Sequence, residues 1–119
     1  MSYAVTFKRV YKNVHWNQAF QLFSNTAGTT PVDISSATME MDIVTRGASP
    51  TVVKSLSLGD GIELTTDGTD GKFQIILPSS EMTSIPVATY KYDLIMTRAG
   101  VSEMIMEGLV TFVSGVTAP

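Results

Sequence analysis

Hydrophobic and polar residues alternate along much of the chain with a period of two, which is typical of β-strands that have one buried face. In one such segment, Met39, Met41 and Ile43 alternate with Glu40 and Asp42. Turn residues separate these segments at intervals of about 8–12 residues, the spacing of sandwiches and barrels. The pattern predicts seven or eight strands, at about residues 3–10, 17–23, 38–45, 51–57, 62–65, 72–77, 88–97 and 103–113.

The connections between the predicted strands carry the residues that turns require. Three Asp-Gly dipeptides, which begin at residues 60, 67 and 70, predict turns, because glycine tolerates a positive φ and aspartate caps its own backbone. Residues 98–101, Arg-Ala-Gly-Val, close the clearest hairpin. Strands joined by hairpins are antiparallel, so the sequence predicts two packed antiparallel sheets.

Three segments depart from the strand pattern. Residues 78–86 begin and end with proline and contain two serines followed by Glu81, which predicts a single helical turn near residues 79–84. Gly108 lies inside the last strand, where a bulge or a close approach of another backbone segment is the usual cause. Residues 114–119 are small and polar, and we expect them to form a flexible tail.

The composition suits one folded domain. The chain has 119 residues, of which 44% are hydrophobic and 16% are charged. A chain of this length can bury one hydrophobic core, so we expect a single β-sandwich domain spanning residues 1–119. The absence of cysteine excludes disulfides and thiolate chemistry. A surface with so little charge is prone to associate, which favours coverage by partners.

Composition also narrows the class of partner. The eight lysines and arginines are outnumbered by eleven acidic residues, so the basic excess of a nucleic-acid binder is missing. The one dense basic group, Lys8, Arg9 and Lys12, is typical of a solvated strand edge. The sequence has no apolar stretch of membrane-helix length, and its first residues lack the basic-then-apolar order of a signal peptide, so we expect neither feature. We therefore expect synthesis in a cytoplasm and no nucleic-acid or membrane partner.

The residues that catalysis requires are scarce. His15 is the only histidine, and it lies in a turn beside Trp16. The sequence has no nucleophile elbow, phosphate-binding loop or dinucleotide fingerprint. With one histidine and no cysteine, zinc sites and Ser-His-Asp or Cys-His machinery lack their parts. We therefore expect no enzyme activity, no catalytic residue and no cofactor.

The acidic residues allow one alternative. Asp60, Glu63, Asp67 and Asp70 fall within eleven residues, and carboxylate oxygens are the ligands that calcium prefers. The segment lacks the distal glutamate and the full ligand series of a calcium loop. We interpret it as Asp-Gly turns around a short strand, with no metal bound.

The aromatic and methionine residues are interpreted mainly as core. Trp16 begins an alternation with inward-facing residues, which predicts that its ring is buried and not exposed for stacking on a sugar. In the last strand, Met104 and Met106 alternate with Glu103 and Glu107. This spacing predicts that the two methionines fill the core and that the two glutamates share a solvent-facing side.

A resemblance to a known class of proteins depends on the order of several motifs over about residues 16–113. They are Trp-Asn-Gln-Ala-Phe-Gln-Leu at 16–22, Thr-Pro-Val-Asp-Ile-Ser-Ser-Ala at 30–37, Thr-Met-Glu-Met-Asp-Ile at 38–43, Ala-Thr-Tyr-Lys-Tyr-Asp-Leu-Ile-Met at 88–96 and Met-Glu-Gly-Leu-Val-Thr-Phe at 106–112. In this order they resemble small immunoglobulin-like β-sandwich proteins of tailed-phage virions, similar to the N-terminal domain of baseplate upper proteins. The resemblance implies an all-β, immunoglobulin-like antiparallel β-sandwich.

The same resemblance implies a structural role in a bacteriophage particle. It places the protein in the virion, as an assembly protein of the tail, baseplate or fibre-attachment region. Its partners would be other virion proteins and copies of itself, in a homo-oligomer within a symmetric assembly. Two alternatives remain open: a head decoration or head-completion protein with the same fold, and a receptor- or carbohydrate-binding β-sandwich.

The first 15 residues form a candidate interface strand or arm. The side chains predicted to share one face, and so to form a partner interface, are Tyr3, Val5, Phe7, Arg9 and Tyr11. Such a strand could add to the sheet of a neighbouring protein. The alternative is that it completes the sheet of its own chain.

Overall fold

The computed structural model describes residues 3–24 and 28–115, and the regular secondary structure of these residues is β-strand apart from one 3-10 turn. Its elements, in chain order, are β1 (Tyr3–Ala4), β2 (Phe7–Tyr11), β3 (Trp16–Gln21), β4 (Thr38–Val44), β5 (Val52–Leu58), β6 (Gly61–Leu64), β7 (Lys72–Leu77), a 3-10 turn (Ser79–Glu81), β8 (Ala88–Arg98) and β9 (Val101–Val113). The all-β class and the helical turn are therefore confirmed. Residues 116–119 of the predicted tail lie outside the described residues.

The strands form one hydrogen-bonded path that folds over on itself. On one side, β1 and β2 pair with β9, followed in order by β8, β4 and β5; on the other side, β6, β7 and β3 are neighbours. The two sides are joined where β5 and β6 share a short parallel pairing, with Ser57 opposite Gly61 and Leu58 opposite Ile62. At this corner Gly61 has a φ of 96° and its Cα faces the Leu56 side chain closely, so a larger residue would not fit.

The arrangement is an immunoglobulin-like sandwich. The chain crosses between the two layers from β2 to β3, from β3 to β4, from β5 to β6, and from β7 to β8 through the 3-10 turn. After that last crossing, the hydroxyl of Tyr90 donates a hydrogen bond of 2.6 Å to the carbonyl oxygen of Pro86. A tyrosine near the start of the strand that follows such a crossing, bonded to backbone a few residues upstream, is the tyrosine corner of this fold.

The core lies between the two layers and contains the residues that the alternation predicts. The side chains of Met39, Met41 and Ile43 on β4 are fully buried, and Phe73 on β7 packs from the opposite layer. Trp16 is 7% exposed and meets Phe112 edge to face, which confirms that its ring belongs to the core. Each such large side chain contributes about 1.5–3 kcal/mol when buried, so the two layers are stabilised chiefly by this shared apolar interior.

The predicted pairing of strands differs from the structure in two respects. The two layers belong to one continuous mixed sheet and not to two separate antiparallel sheets, and although most pairs are antiparallel, β1 and β2 run parallel to β9 and β5 runs parallel to β6. No hairpin joins the first strands to the last one, so turn chemistry does not decide their relative direction. The predicted first strand is also interrupted at Val5 and Thr6, which separate β1 from β2.

A β-bulge in β9 reverses part of the predicted alternation. Leu94 pairs with Met106, but the next residue, Ile95, pairs with Met104, so Ile105 is an extra residue on β9. Met106 and Ile105 are therefore both buried, whereas Met104 is 37% exposed. The prediction that Met104 shares the core face of the strand is wrong.

The same bulge separates two glutamates that the alternation places together. Glu103 pairs with the buried Met96 and lies at the end of the inner face, whereas Glu107 pairs with Asp93 on the outer face. The prediction that Glu103 and Glu107 share one face is therefore wrong.

Among the described residues, no helix is both long and apolar enough to cross a membrane.

Candidate interaction surfaces

The N-terminal strands complete the sheet of their own chain. Tyr3 pairs with Met106 through the backbone, and the N–H of Val5 donates a 3.0 Å hydrogen bond to the carbonyl oxygen of Glu107. The side chain of Tyr3 lies outside the described part of the structure. The structure thus matches the alternative in which the strand extends its own sheet, while one edge of β2 has no strand beside it in residues 3–24 and 28–115.

Val5 is held against β9 by two independent features. The hydroxyl of Tyr92 donates a 2.6 Å hydrogen bond to the Val5 carbonyl oxygen, and burial raises the pKa of that hydroxyl to about 12. The same carbonyl lies so close to Gly108 that any side chain at Gly108 would collide with it. The prediction of a close backbone approach at Gly108 is therefore confirmed.

Two of the five residues predicted for a partner interface face the protein interior. Val5 and Phe7 are partly buried against the core, and the ring of Phe7 meets that of Trp16 edge to face with centroids 5.2 Å apart. A register shift between Phe7 and Val10 then turns both Arg9 and Tyr11 outward. Of the predicted set, Arg9 and Tyr11 remain accessible to a partner.

The exposed part of this strand and of the turn after it forms a basic edge, a name used here for Lys8, Arg9, Tyr11, Lys12 and Val14. Tyr11 and Val14 are 41% and 46% exposed. The three cations form no ion pair with any residue of the described ranges. A groove of about 470 Å³ runs between this edge and β3, and no acidic residue lines it. The prediction of a charged, solvated strand edge fits this placement.

On the opposite flank of β9, the pairing of three strands brings together three carboxylates. Asp42 on β4 lies directly opposite Asp93 on β8, and Asp93 lies directly opposite Glu107 on β9. We call Asp42, Asp93 and Glu107 the carboxylate row. Directly opposed residues on one face have Cβ atoms only about 4.5–5.5 Å apart, so the three negative charges are close neighbours.

The carboxylate row has Lys91 beside it in the same groove but forms no direct ion pair within the described residues. Asp42 accepts a 2.7 Å hydrogen bond from the hydroxyl of Ser55 on β5. Within the described residues, no lysine or arginine forms an ion pair with any member of the row. Partial burial of Asp93, together with the charges of Asp42 and Glu107, raises the pKa of the Asp93 carboxyl. The row is therefore an electrostatically unfavourable arrangement in the isolated chain.

The row lies within a larger outer face that is also apolar in part. Ile95 and Met104 are directly opposite each other beside the row, and each is 37% exposed. A groove of about 560 Å³ is lined by the three carboxylates of the row together with Lys91 and with apolar residues that include Ala4, Val44 and Leu109. We use the name outer face for the carboxylate row with Glu40, Ile95 and Met104.

The acidic residues in the loops behave differently. Each of Asp33, Asp67 and Asp70, here called the loop aspartates, accepts one hydrogen bond from the backbone N–H two residues further along and one from a nearby hydroxyl. Hydroxyl and backbone donors together lower the pKa of each carboxyl. This is the behaviour of aspartates that cap turns.

The four residues considered for calcium are not gathered into one site. Glu63 lies on β6 opposite Gln74, and Asp60 lies in the corner between β5 and β6. Over the described ranges, no group of three or more acidic or histidine side chains has a geometry suited to a metal ion. His15 is exposed at the rim of the groove between the basic edge and β3.

Sequence reasoning found the basic edge but missed the carboxylate row. Asp93 and Glu107 are each an ordinary polar position in an alternating strand, and nothing local shows that they are neighbours. Only the register of β4, β8 and β9 brings them together.

Comparison with known proteins found no relative of this chain. The sequence matches no protein-family model and no curated protein.

Proposed function

We propose that this protein is a structural component that works through contacts with other proteins, as an assembly subunit of a tailed-phage particle in its tail, baseplate or fibre-attachment region. The observation that carries the contact role is the carboxylate row, whose three negative charges lie abreast with no cation paired to them in the described chain. The placement in a virion is supported by the order of sequence motifs.

The fold itself does not require this row. Like charges placed directly opposite each other on a sheet oppose its stability by about 0.2–1 kcal/mol for each pair. Neutral polar side chains such as asparagine or serine would occupy the same outward positions without that repulsion. A compensating positive charge from another molecule is the simplest physical reason for the arrangement, and it makes the outer face a contact surface.

Such a contact surface suits a subunit of a symmetric particle. When many identical copies are held in one assembly, each weak contact is repeated, and the combined attachment is much stronger than one contact. Exposed apolar residues such as Ile95 and Met104, which favour association of a free protein, become part of an interface. An unpartnered strand edge can be covered in the same way.

The proposal is tested on purified particles of the phage whose genome encodes the chain. We expect quantitative mass spectrometry to find it in a copy number that matches a ring, and immunogold labelling to place it on the tail or baseplate. Particles from a strain that lacks the gene provide the control for labelling. Absence from purified particles would contradict the proposal, and labelling on the capsid would assign the protein to the head.

A further inference from the structure

We infer that the outer face and the basic edge are the two halves of one head-to-tail contact between copies of this chain. The occupant of the outer face is thus the β2 edge of a second copy. The inference rests on the proposed function, because it names the partner and the surfaces through which a symmetric assembly would be built.

Opposite charge is the first observation that joins the two surfaces. The outer face presents the carboxylate row together with Glu40, and the nearest cation on the same face is Lys91. The basic edge presents Lys8, Arg9 and Lys12, and no acidic residue lines the groove beside it. Arginine and lysine from one copy would supply the charge that the row of the next copy lacks.

Exposed apolar side chains are the second observation, and they are independent of charge. The outer face carries Ile95 and Met104, each 37% exposed, and the basic edge carries Tyr11 and Val14 at 41% and 46%. Both surfaces therefore combine an apolar part with charges of one sign. Specific protein interfaces have this composition, with apolar anchors surrounded by polar and charged groups.

The distribution of charge also decides the symmetry of the contact. A two-fold contact through either surface alone places that surface against its own copy, so it would bring the three carboxylates against three carboxylates, or the cations of β2 against those of another β2. Such pairings are repulsive. The favourable contact joins two different surfaces, and contacts of that kind close into a ring or extend into a filament.

The two surfaces are not able to satisfy each other within one chain. The carboxylate row points outward from β4, β8 and β9, whereas β2 continues the same sheet beyond β9. In the described residues no ion pair connects Lys8, Arg9 or Lys12 with any carboxylate. The complementary charges are therefore free to act between copies.

The experiment uses the full chain and two variants, each of which disables one surface. Lys8→Glu/Arg9→Glu reverses the basic edge, and Asp42→Lys/Glu107→Lys reverses the outer face. We expect the wild-type chain to associate in analytical ultracentrifugation at low ionic strength and to dissociate in high salt, which screens exposed charges. Each variant alone should associate at least about tenfold more weakly, since like charges then face each other.

Mixing the two variants tests whether the loss of association in each variant comes from like charges at one shared contact. In an equimolar mixture, each surface of one variant faces a surface of opposite charge on the other variant, so association should return, with the two variants alternating in the assembly. A matched control, Asp60→Lys/Glu63→Lys, reverses two exposed acids outside both surfaces and should associate as the wild type does. Combining all four reversals in one chain should restore association, because both halves are then reversed together.

Three results would overturn the inference. A wild-type chain that remains monomeric at all concentrations would assign the outer face to a different protein. Variants that associate as strongly as the wild type would show that the copies meet through other surfaces. A mixture that does not associate, although circular dichroism shows both variants to be folded, would exclude the head-to-tail contact. In each case the protein's presence in purified particles remains a separate measurement, so the proposed function can stand or fall independently.

Discussion

Carboxylates occupy two contrasting regions of this protein. The loop aspartates each accept hydrogen bonds from a backbone N–H and a hydroxyl, and their pKa values are lowered. In the carboxylate row, Asp93 is partly buried between two other carboxylates, and its pKa is raised. The direction of the pKa shift separates acids that the folded state stabilises from an acid that the folded state opposes.

This difference separates acidic residues whose positions are accounted for by folding from acidic residues whose positions are not. The loop aspartates satisfy backbone groups in tight turns, so folding alone accounts for them. In the row, by contrast, Asp42 accepts a hydrogen bond from Ser55 on the neighbouring strand, but Asp93 lies directly between two other carboxylates. A residue arrangement that weakens the isolated fold is a better indicator of an external partner than the number of acidic residues in a segment.

The largest expected effect on stability comes from displacing β1, the strand that borders the carboxylate row. Gly108→Ala places a methyl group against the Val5 carbonyl, which should displace β1 from β9 and lower the free energy of unfolding by about 2 kcal/mol, as overpacking does. Displacement of Ala4 from beside Glu107 should also admit water and return the pKa of Asp93 toward its ordinary value. Urea denaturation and carboxyl NMR titration measure the two effects.

Gly100→Ala is the matched control for that substitution. Gly100 has a φ of 79°, so alanine is strained there, but no atom lies within contact distance of the added methyl group. It should lower stability less than Gly108→Ala and leave the titration of Asp93 unchanged. Equal destabilisation by both variants would mean that backbone strain, and not the contact with Val5, determines the effect.

The next effect tests the loop aspartates. Asp70→Ala removes the acceptor of hydrogen bonds from the Thr66 hydroxyl and the Lys72 N–H, so we expect the melting temperature to fall by several degrees near neutral pH. Because the folded state lowers the pKa of Asp70, its contribution is present above the unfolded-state pKa and is lost as the pH falls through the folded-state pKa. Asp60→Ala, in a neighbouring turn, should change the melting temperature little, and an equal fall would contradict the capping role.

The smallest expected effect is a gain in the free energy of unfolding, whereas the preceding substitutions lower it. Asp93→Asn removes the central charge of the row, so it should raise the free energy of unfolding at pH 7 by about 0.5 kcal/mol. Because the pKa of Asp93 is raised in the folded state, the wild-type chain gains stability as the pH falls through that pKa, and the advantage of the variant should then disappear. A variant that is less stable than the wild type at neutral pH would show that Asp93 supports the fold.

Much of the fold could be predicted because strand and turn signals are local. The alternation of Met39, Met41 and Ile43 with polar residues defines the buried face of β4, and the hairpin at 98–101 joins β8 to β9 as expected. Trp16 lies in the core for the same reason. These features depend on residues within one strand or one turn, where side-chain direction follows from period two.

The placement of the candidate surfaces could not be predicted in the same way. Counted from the hairpin without a bulge, Asp93 would lie opposite Met106, and the extra residue Ile105 moves Glu107 into that position. The bulge exists because Ile105 and Met106 both enter the core, a choice that depends on the space available between the layers. No local sequence pattern indicates how much space is available between the two layers.

By itself, the sequence determined that this chain forms strands, where most of them begin and end, and which faces are apolar, because each of these follows from neighbouring residues. Only the tertiary structure decided that β2 runs parallel to β9, that Met104 faces outward, and that the members of the carboxylate row lie side by side. Those outcomes depend on pairing between distant segments, where core packing and a single inserted residue select the register.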